Sequence, residues 1–264
     1  MDLNLAGKRA LITGSTRGIG LASAIELASM GAEVVINGRS QDKVDEAMAA
    51  VAAQVPGAKL QGIAADLGTA GGCKAVIAAV PDLDILVNNM GIYGPKAFED
   101  ISDEEWEEMF TVNVMSGVRL SRHYLPLLLK KDWGRVVFVS SESGIFIPAE
   151  MVHYGFSKAA QLAIARGMAE LTAGTSITVN SVLPGPTWVE ASDERMSGRA
   201  KDLGITIDEY KQMTFTERRP TSLLKRYTTP EEVASMIAYV CSPASSATNG
   251  AALKVEGGIV RLPI

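Results

Sequence analysis

Tyr154 and Lys158 stand four residues apart, and these two residue types could carry acid/base chemistry. If this segment is helical, their side chains share one face and can meet over a bound ligand. The pKa of a free tyrosine is about 10, so it must fall by about three before the phenol exchanges protons at neutral pH. An ammonium about 4 Å away in a partly screened site supplies an interaction of that size. The pair is therefore sufficient for proton transfer, although most such helical pairs are only solvated contacts.

A glycine-rich turn follows the first predicted strand, Arg9 to Thr13, and precedes apolar residues at helical spacing. The turn consists of Gly14, Ser15, Thr16, Arg17, Gly18, Ile19 and Gly20. Its glycines allow the backbone to approach a pyrophosphate closely, and the N-terminus of the following helix offers free N–H groups to it. The strand, turn and helix together predict dinucleotide binding, while a purely structural turn is the alternative.

The second predicted strand, Glu33 to Asn37, ends in Gly38 and Arg39. A carboxylate at this place usually selects NAD by accepting hydrogen bonds from the adenosine ribose. Arg39 can instead pair with a 2′-phosphate, and Arg17 can add a second positive charge. The sequence therefore predicts that NADP(H) is preferred and that NAD(H) is possible. The alternative is that Arg39 is only a solvated loop residue.

Strand and helix patterns alternate along nearly the whole chain. The further predicted strands are Lys59 to Ala64, Ile85 to Val87, Arg135 to Val139, Ile177 to Val182 and Leu253 to Val255. Short connections between them predict a parallel sheet with helices on both faces. We expect an α/β fold: one Rossmann-type, doubly wound sheet of about seven strands in a single domain spanning residues 1–264. In such sheets the ligand lies beyond the carboxyl ends of the strands.

Polar and small residues cluster where several predicted strands end. They are Asp66 and Leu67, then Asn88, Asn89, Met90 and Gly91, then Pro184, Gly185 and Thr187. Asp66 can either cap the next helix, predicted from Thr69 to Ala79, or accept a hydrogen bond from the adenine amino group. Asparagines at a strand end can hold neighbouring backbone and a ribose together, and they are also common turn formers.

Asn113 interrupts the apolar pattern of a long predicted helix that begins at the capping box Ser102 to Glu105. An amide in this position is either an interior hydrogen-bonding group or a residue that kinks the helix and holds a water. Ser141 lies thirteen residues before Tyr154, just after the predicted strand Arg135 to Val139. The topology thus predicts that the serine and the tyrosine reach the same edge of the sheet.

Composition excludes several classes of function. A net charge of -5 gives no electrostatic reason to bind nucleic acid or an anionic membrane. The first residues lack a basic region followed by an apolar core, and Ser, Pro, Asn and Gly interrupt the longest uncharged stretch, residues 236–253. We therefore expect a cytoplasmic protein with small-molecule partners. The two cysteines, Cys73 and Cys241, show no metal spacing, and no metal is predicted.

The ordered combination of these residues resembles the short-chain dehydrogenase/reductase family over nearly the whole chain, and in particular its 3-oxoacyl-[acyl-carrier-protein] reductase-like members. The matching positions are Thr13, Gly14, Gly18, Gly20, Asp66, Asn88, Asn89, Gly91, Asn113, Ser141, Tyr154, Lys158, Pro184 and Gly185. Two positions depart from the pattern. Met90 replaces the usual alanine, and Val189 replaces a threonine that contacts the nicotinamide amide, for which Thr187 could substitute.

The resemblance implies an NAD(P)(H)-dependent oxidoreductase that acts on a ketone or a secondary alcohol. In this interpretation Tyr154 transfers the proton, while Lys158 lowers the pKa of the tyrosine and holds the nicotinamide ribose. Ser141 donates a hydrogen bond to the oxygen that gains charge, and Asn113 holds a water that passes protons onward. His153 lies next to Tyr154, but adjacent helical residues point in different directions, so it is not expected to be catalytic.

Other functions remain open on the same residues. One is a protein that senses NADP(H) without turnover, and another is a dehydratase or epimerase with the same fold. Among simple oxidoreductases, a 3-oxoacyl thioester reductase and a sugar or secondary-alcohol dehydrogenase using NAD are both possible.

The segment from Trp188 to Thr228 breaks the alternation of strands and helices, and it is either a substrate lid or a disordered loop. Its residues 205–210 have a helical pattern. With Tyr93 to Lys96 and Ser143 to Met151 it is expected to build the substrate pocket. The helix after Tyr154 is apolar nearly all round, which predicts that one side packs on the sheet and the other on a second copy. A homodimer or homotetramer is expected.

Overall fold

A computed structural model gives the structure of residues 3–262, except for the side chains of residues 190–195. Seven parallel strands form one sheet in the order β3-β2-β1-β4-β5-β6-β7. The strands are β1 Arg9–Ile12, β2 Glu33–Gly38, β3 Leu60–Ala64, β4 Ile85–Asn88, β5 Gly134–Val139, β6 Ile177–Pro184 and β7 Ala252–Val255. The order reverses between β1 and β4, which places their carboxyl ends on either side of a crevice. This confirms the predicted fold class.

Helices cover both faces of the sheet. They are α1 Gly18–Ser29, α2 Gln41–Gln54, α3 Ala70–Ala79, α4 Asp103–Phe110, α5 Ser116–Leu128, α6 Val152–Glu170, α7 Glu190–Asp202, α8 Ile207–Met213 and α9 Pro230–Cys241. One core packs α1, α2 and α9 against the sheet, and the other packs α3, α5 and α6 against the opposite face. Because both faces are covered, β4, β5 and β6 are buried along their entire length. No helix in the described range is long and apolar enough to cross a membrane.

The long helix predicted around Asn113 is interrupted by a π-helical segment. The capping box is present, because Ser102 accepts a hydrogen bond from the Glu105 N–H and the Glu105 carboxylate accepts one from the Ser102 N–H. The π segment, Thr111–Met115, separates α4 from α5 and contains the buried Asn113. Such insertions disturb the regular backbone ladder and often occur at functional sites.

The structure excludes one of the two roles considered for Asp66. Thr69 is the cap of α3, since its hydroxyl accepts a hydrogen bond from the Gly72 N–H at 2.9 Å. Asp66 instead closes a tight turn, with its Oδ1 accepting a hydrogen bond from the Gly68 N–H at 3.0 Å. Asp66 therefore does not cap the helix.

The segment from Trp188 to Thr228 is ordered and largely helical, and it contains α7, α8 and a π-helical turn, Thr214–Arg218. The predicted helical pattern corresponds to α8, whereas α7 was not predicted. The two ends of the segment meet, because the Thr187 and Thr228 hydroxyls lie 2.9 Å apart and the Trp188 N–H donates to the Thr228 carbonyl at 2.9 Å. The segment therefore leaves and rejoins the sheet at one point.

Candidate active site

The glycine turn between β1 and α1 forms a cradle of backbone. Gly14 and Gly18 have φ angles of +60° and +55°, which residues with a side chain rarely adopt. A Cβ at Gly20 would lie 2.5 Å from the Gly14 carbonyl oxygen and 2.6 Å from Asn89 Nδ2. The side chain of Arg17 makes no capping hydrogen bond at the start of α1, so the first N–H groups of this helix face the turn. These features fit the pyrophosphate of a dinucleotide.

Thr13 and Asn89 fix this cradle to the end of β4. The Thr13 hydroxyl accepts hydrogen bonds from the N–H groups of Asn89 and Met90, both at 2.9 Å. The Asn89 amide donates to the carbonyls of Thr13 at 2.9 Å and Gly14 at 3.1 Å. Asn89 thus holds neighbouring backbone, which is one of the two roles considered for it.

Asn37, at the end of β2, supports the turn from the other side and was not singled out in the sequence. Its Oδ1 accepts a hydrogen bond from the Gly14 N–H at 3.2 Å, and its Nδ2 donates to the carbonyls of Ile63 and Ala65 at 3.2 and 3.1 Å. The only signal for this role was an amide that ends an otherwise apolar strand. Through Asn37, the loop after β3 and the glycine turn share one buried group.

Arg17 and Arg39 lie at the ends of neighbouring elements, at the start of α1 and just after β2, and both are exposed. Gly38 between β2 and Arg39 is buried, and a Cβ there would overlap the methyl group of Thr16. The backbone of β2 therefore passes close to the glycine turn. Arg17 and Arg39 therefore lie near each other, and their contact with a 2′-phosphate stays a prediction.

Ser141, Tyr154 and Lys158 meet beyond the carboxyl end of β5. Ser141 follows the strand and is buried, while Tyr154 and Lys158 lie one turn apart on α6. The Lys158 Nζ lies 5.7 Å from the centroid of the Tyr154 ring. It donates hydrogen bonds to the Val139 carbonyl at 2.9 Å and to Gln161 Oε1 at 3.2 Å. The spacing therefore brings the two side chains together as predicted.

The pKa values of these two groups are set mainly by burial. Burial lowers the pKa of Lys158 from 10.5 to about 8, partly opposed by the nearby Glu142 carboxylate. Burial also raises the pKa of Tyr154, and the charge of Glu142 raises it further, whereas the hydrogen bond with Ser141 and the charge of Arg219 lower it. The direction for Tyr154 is opposite to the predicted one because desolvation outweighs the hydrogen bond with Ser141 and the charge of Arg219.

Asn113 is fully hydrogen-bonded inside the site. Its side chain accepts from the Ile92 N–H at 2.7 Å and donates to the Ile92 carbonyl and to Ser157 Oγ, both at 2.9 Å. Its main-chain carbonyl accepts a hydrogen bond from Gln161 Nε2 at 2.6 Å. Gln161 therefore bridges Lys158 and Asn113 directly, and the water that Asn113 is expected to hold stays a prediction. Gln161 was not predicted, and its only signal was that it is an amide on a helix that is otherwise apolar nearly all round.

Glu142, the residue after Ser141, is a second group that was not predicted. It is only 4% exposed, and its Oε2 accepts a hydrogen bond from Ser141 Oγ at 2.5 Å. Its Oε1 pairs with Arg219 Nε at 3.2 Å. An acidic residue directly after the serine was the only signal in the sequence.

Pro184, Gly185 and Thr187 lie where β6 ends beside the glycine turn. A Cβ at Gly185 would lie 2.8 Å from the Cα of Glu256, so this backbone is closely packed. Thr187 Oγ1 donates to the Gly185 carbonyl at 3.0 Å. The substituted position Val189 lies over the turn, since its Cγ1 would be 3.1 Å from a Cβ at Gly18.

One aromatic contact involves Tyr154, and another lies at the base of the 188–228 segment. The rings of Tyr93 and Tyr154 are 6.0 Å apart, and the rings of Trp188 and Tyr227 are 5.0 Å apart at the base of the 188–228 segment. His153 is buried and packs edge-on against Trp106 at 6.0 Å. His153 therefore packs between α6 and α4, and its lack of an acid/base role stays a prediction.

Comparison with known proteins places this geometry in a family. The model of the short chain dehydrogenase family matches residues 8–200. An uncharacterized oxidoreductase of Bacillus subtilis (strain 168), YvaG, is 47% identical over 261 residues, or 99% of each chain. The 3-oxoacyl-[acyl-carrier-protein] reductase FabG of Aquifex aeolicus (strain VF5) is 33% identical over 263 residues, covering 98% of this chain and 100% of that protein.

A solved structure is also similar throughout. L-sorbose reductase from Gluconobacter frateurii, complexed with NADPH and L-sorbose, superposes with a TM-score of 0.93 at 30% identity, covering 99% of this chain and 100% of that chain. Fold, sequence and the arrangement of Ser141, Tyr154 and Lys158 agree: the chain belongs to the short-chain dehydrogenase/reductase family of oxidoreductases.

Proposed function

We propose that the protein reduces a ketone, or oxidises the corresponding secondary alcohol, with NADP(H) as its preferred cofactor. The observation that carries this proposal is the meeting of Ser141, Tyr154 and Lys158 at the strand ends that also carry the glycine cradle. A solved relative that contains NADPH and L-sorbose supports both the cofactor and the type of substrate. A protein that only senses the cofactor would have no use for a tyrosine and a serine together beside it.

The chain's own groups fit a dinucleotide cofactor. The glycine turn would hold the pyrophosphate, Asp66 and Leu67 the adenine, and Arg17 and Arg39 the 2′-phosphate. Asn89, Met90 and Gly91 would line the adenosine and ribose side. Pro184, Gly185 and Thr187 would lie beside the nicotinamide. When bound, the cofactor supplies or accepts the hydride.

Tyr154 transfers the proton. Its hydroxyl gives a proton to the carbonyl oxygen in reduction and removes one from the alcohol in oxidation. Ser141 holds the same oxygen in place, and Lys158, which lies beneath the tyrosine ring, holds the ribose and provides positive charge. Asn113 and Gln161 keep Lys158 in position through their hydrogen bonds. The 188–228 segment covers the bound substrate. We also propose that the protein self-associates as a dimer or tetramer.

Replacing Tyr154 by phenylalanine tests the proposed chemistry. Tyr154→Phe removes the only atom that transfers the proton, so we expect NADPH oxidation with ketones to fall at least about 1,000-fold while NADPH binding is retained. Tyr239→Phe, in α9 on the far side of the fold, is the matched control and should keep full activity. Turnover by Tyr154→Phe close to that of the control would refute the assignment.

Replacing Arg39 by alanine tests the cofactor preference. If the guanidinium pairs with the 2′-phosphate, Arg39→Ala should raise the KM for NADPH about tenfold and leave the KM for NADH nearly unchanged. Lys59→Ala removes an exposed cation just before β3, at the amino end of the strand beside β2, and should change neither value. A wild-type enzyme with a higher kcat/KM for NADH than for NADPH would contradict the proposal.

A further inference from the structure

A buried ion pair lies against the group that binds the carbonyl. Glu142 is 4% exposed and Arg219 is 6% exposed, and they pair at 3.2 Å. Burying two charges is costly, and it is tolerated only where each charge has close partners. Glu142 has a second partner in Ser141, whose hydroxyl donates to it at 2.5 Å. The carboxylate therefore acts on the hydroxyl that the proposed reaction uses.

The Ser141 hydroxyl is held from two sides. Its hydrogen is directed to Glu142, and its oxygen accepts a hydrogen bond from the Ser143 N–H at 3.1 Å. This fixes the rotamer of Ser141 and the position of its oxygen relative to Tyr154. Because a hydroxyl has one hydrogen, Ser141 must turn it from Glu142 to the substrate oxygen before it can donate there, while its own oxygen stays in place.

Arg219 comes from the 188–228 segment, far from Glu142 in the sequence. Besides Glu142 it faces a second carboxylate, Glu150, whose Oε1 lies 3.7 Å from Arg219 Nη1. Two carboxylates therefore share one guanidinium. Because the charge of Arg219 is already matched, this arginine does not offer a binding site for a carboxylate on the substrate.

We propose that Glu142 is a positioning and specificity-determining residue, which orients Ser141 and, with Glu150, directs the enzyme to substrates that carry no negative charge near the carbonyl. The inference rests on the proposed function and narrows its substrate class to neutral ketones, such as polyhydroxy ketones and esters of oxo acids. Because Glu142 and Glu150 share the single positive charge of Arg219, one negative charge stays unmatched, and it would repel the carboxylate of an oxo acid.

The pH dependence of the reaction can show whether Glu142 affects Tyr154, because several charged and polar groups face the tyrosine. Glu142 and Tyr93 raise the pKa of its hydroxyl, Ser141 and Arg219 lower it, and Lys158 lies at the face of the ring. Removing the charge of Glu142 should lower the pKa of Tyr154. The pH limb of alcohol oxidation that reports Tyr154 should then move to lower pH by about one unit. A purely structural role for Glu142 would reduce kcat without moving this limb.

The substrate test uses pairs of ketones that differ only in charge. Pyruvate, acetoacetate and levulinate are each compared with their methyl esters, and kcat/KM is measured with NADPH. We expect the wild type to prefer the ester at least about tenfold in the pairs that it reduces, and Glu142→Gln to shrink that preference about tenfold. Glu107→Gln, an exposed site on α4, is the control and should leave the preference unchanged.

Each result has a defined meaning. If the wild type reduces an acid as well as its ester, the inference is overturned and the proposed function stays intact. The same holds if Glu142→Gln leaves both the preference for the ester and the pH profile unchanged. A wild type that reduces none of these ketones, nor a ketohexose, would overturn the proposed function and the inference together. If Glu142→Gln fails to fold because Arg219 loses its partner, the ester preference of the wild type still decides the matter.

Discussion

Burial of the Lys158 ammonium lowers the free energy of unfolding by an amount that can be measured. Its ammonium is buried among Val139, Gln161 and the Tyr154 ring, and burial lowers its pKa to about 8 from 10.5. Above pH 10.5 the lysine is neutral in both the folded and the unfolded chain. As the pH falls below this value, the unfolded chain binds a proton more readily than the folded one, so stability decreases until the folded lysine is also protonated near pH 8.

A comparison of the wild type with Lys158→Met isolates this effect. Between about pH 7 and about pH 9.5, the free energy of unfolding of the wild type should rise relative to the variant by about 2 kcal/mol. Urea unfolding at several pH values measures it, and the other titrating groups cancel in the difference. A difference that stays constant with pH would show that the lysine keeps its ordinary pKa in the fold.

The sequence predicted that Ser141, Tyr154 and Lys158 lie together, but it did not predict their partners. Tyr154 and Lys158 could be found because helical spacing alone puts them on one face, and Ser141 because it ends a strand of a parallel sheet. Glu142 and Gln161 could not be found in this way. Their roles come from contacts with Arg219 and Asn113, which lie 77 and 48 residues away in the chain. A local sequence pattern cannot indicate contacts between residues so far apart in the chain.

At the scale of elements, the connection from β1 to α1 depends on close packing at Gly20. A Cβ at this position would lie within 2.6 Å of Gly14 and Asn89, which themselves form the floor of the cradle. Gly20→Ala should therefore displace the turn, weaken NADPH binding at least about tenfold and destabilise the fold by about 1–3 kcal/mol. Isothermal titration and thermal unfolding measure the two effects.

Gly167 offers the matched control for this substitution. It lies in α6 with a helical backbone, and a Cβ there would meet no atom within 4 Å. Alanine favours a helix over glycine by about 1 kcal/mol, so Gly167→Ala should stabilise the protein slightly and leave NADPH affinity unchanged. If Gly20→Ala bound NADPH as the control does, the close approach of backbone at the turn would not matter for the cofactor.

Element boundaries were predictable where side chains signal them directly. The capping box at Ser102 starts α4 at the expected residue. The π segment Thr111–Met115 and the helix α7 were not predicted. The first arises from the contacts of Asn113 with the loop after β4, and the second lies in a charged stretch without a clear apolar periodicity.

For the molecule as a whole, self-association remains a prediction, and α4 and α6 present a surface that suits it. Phe110 and Phe156 are 39% and 45% exposed. The Phe156 ring packs edge-on against Trp106 at 5.7 Å and stacks with Phe110 at 6.4 Å. Exposed aromatic residues that contact one another form an apolar patch of the kind found in subunit interfaces. We therefore expect two copies of the chain to bury this patch around a two-fold axis.

Introducing a charge at the centre of this patch tests the prediction. Sedimentation velocity at micromolar concentration should show a dimer or tetramer for the wild type and a smaller species for Phe156→Glu, because burying an unpaired carboxylate costs several kcal/mol. Ala53→Glu places the same charge on the exposed face of α2 and should leave the assembly unchanged. A wild type that sediments as a monomer would contradict the predicted assembly. A Phe156→Glu variant that sediments like the wild type would place the interface elsewhere on the molecule.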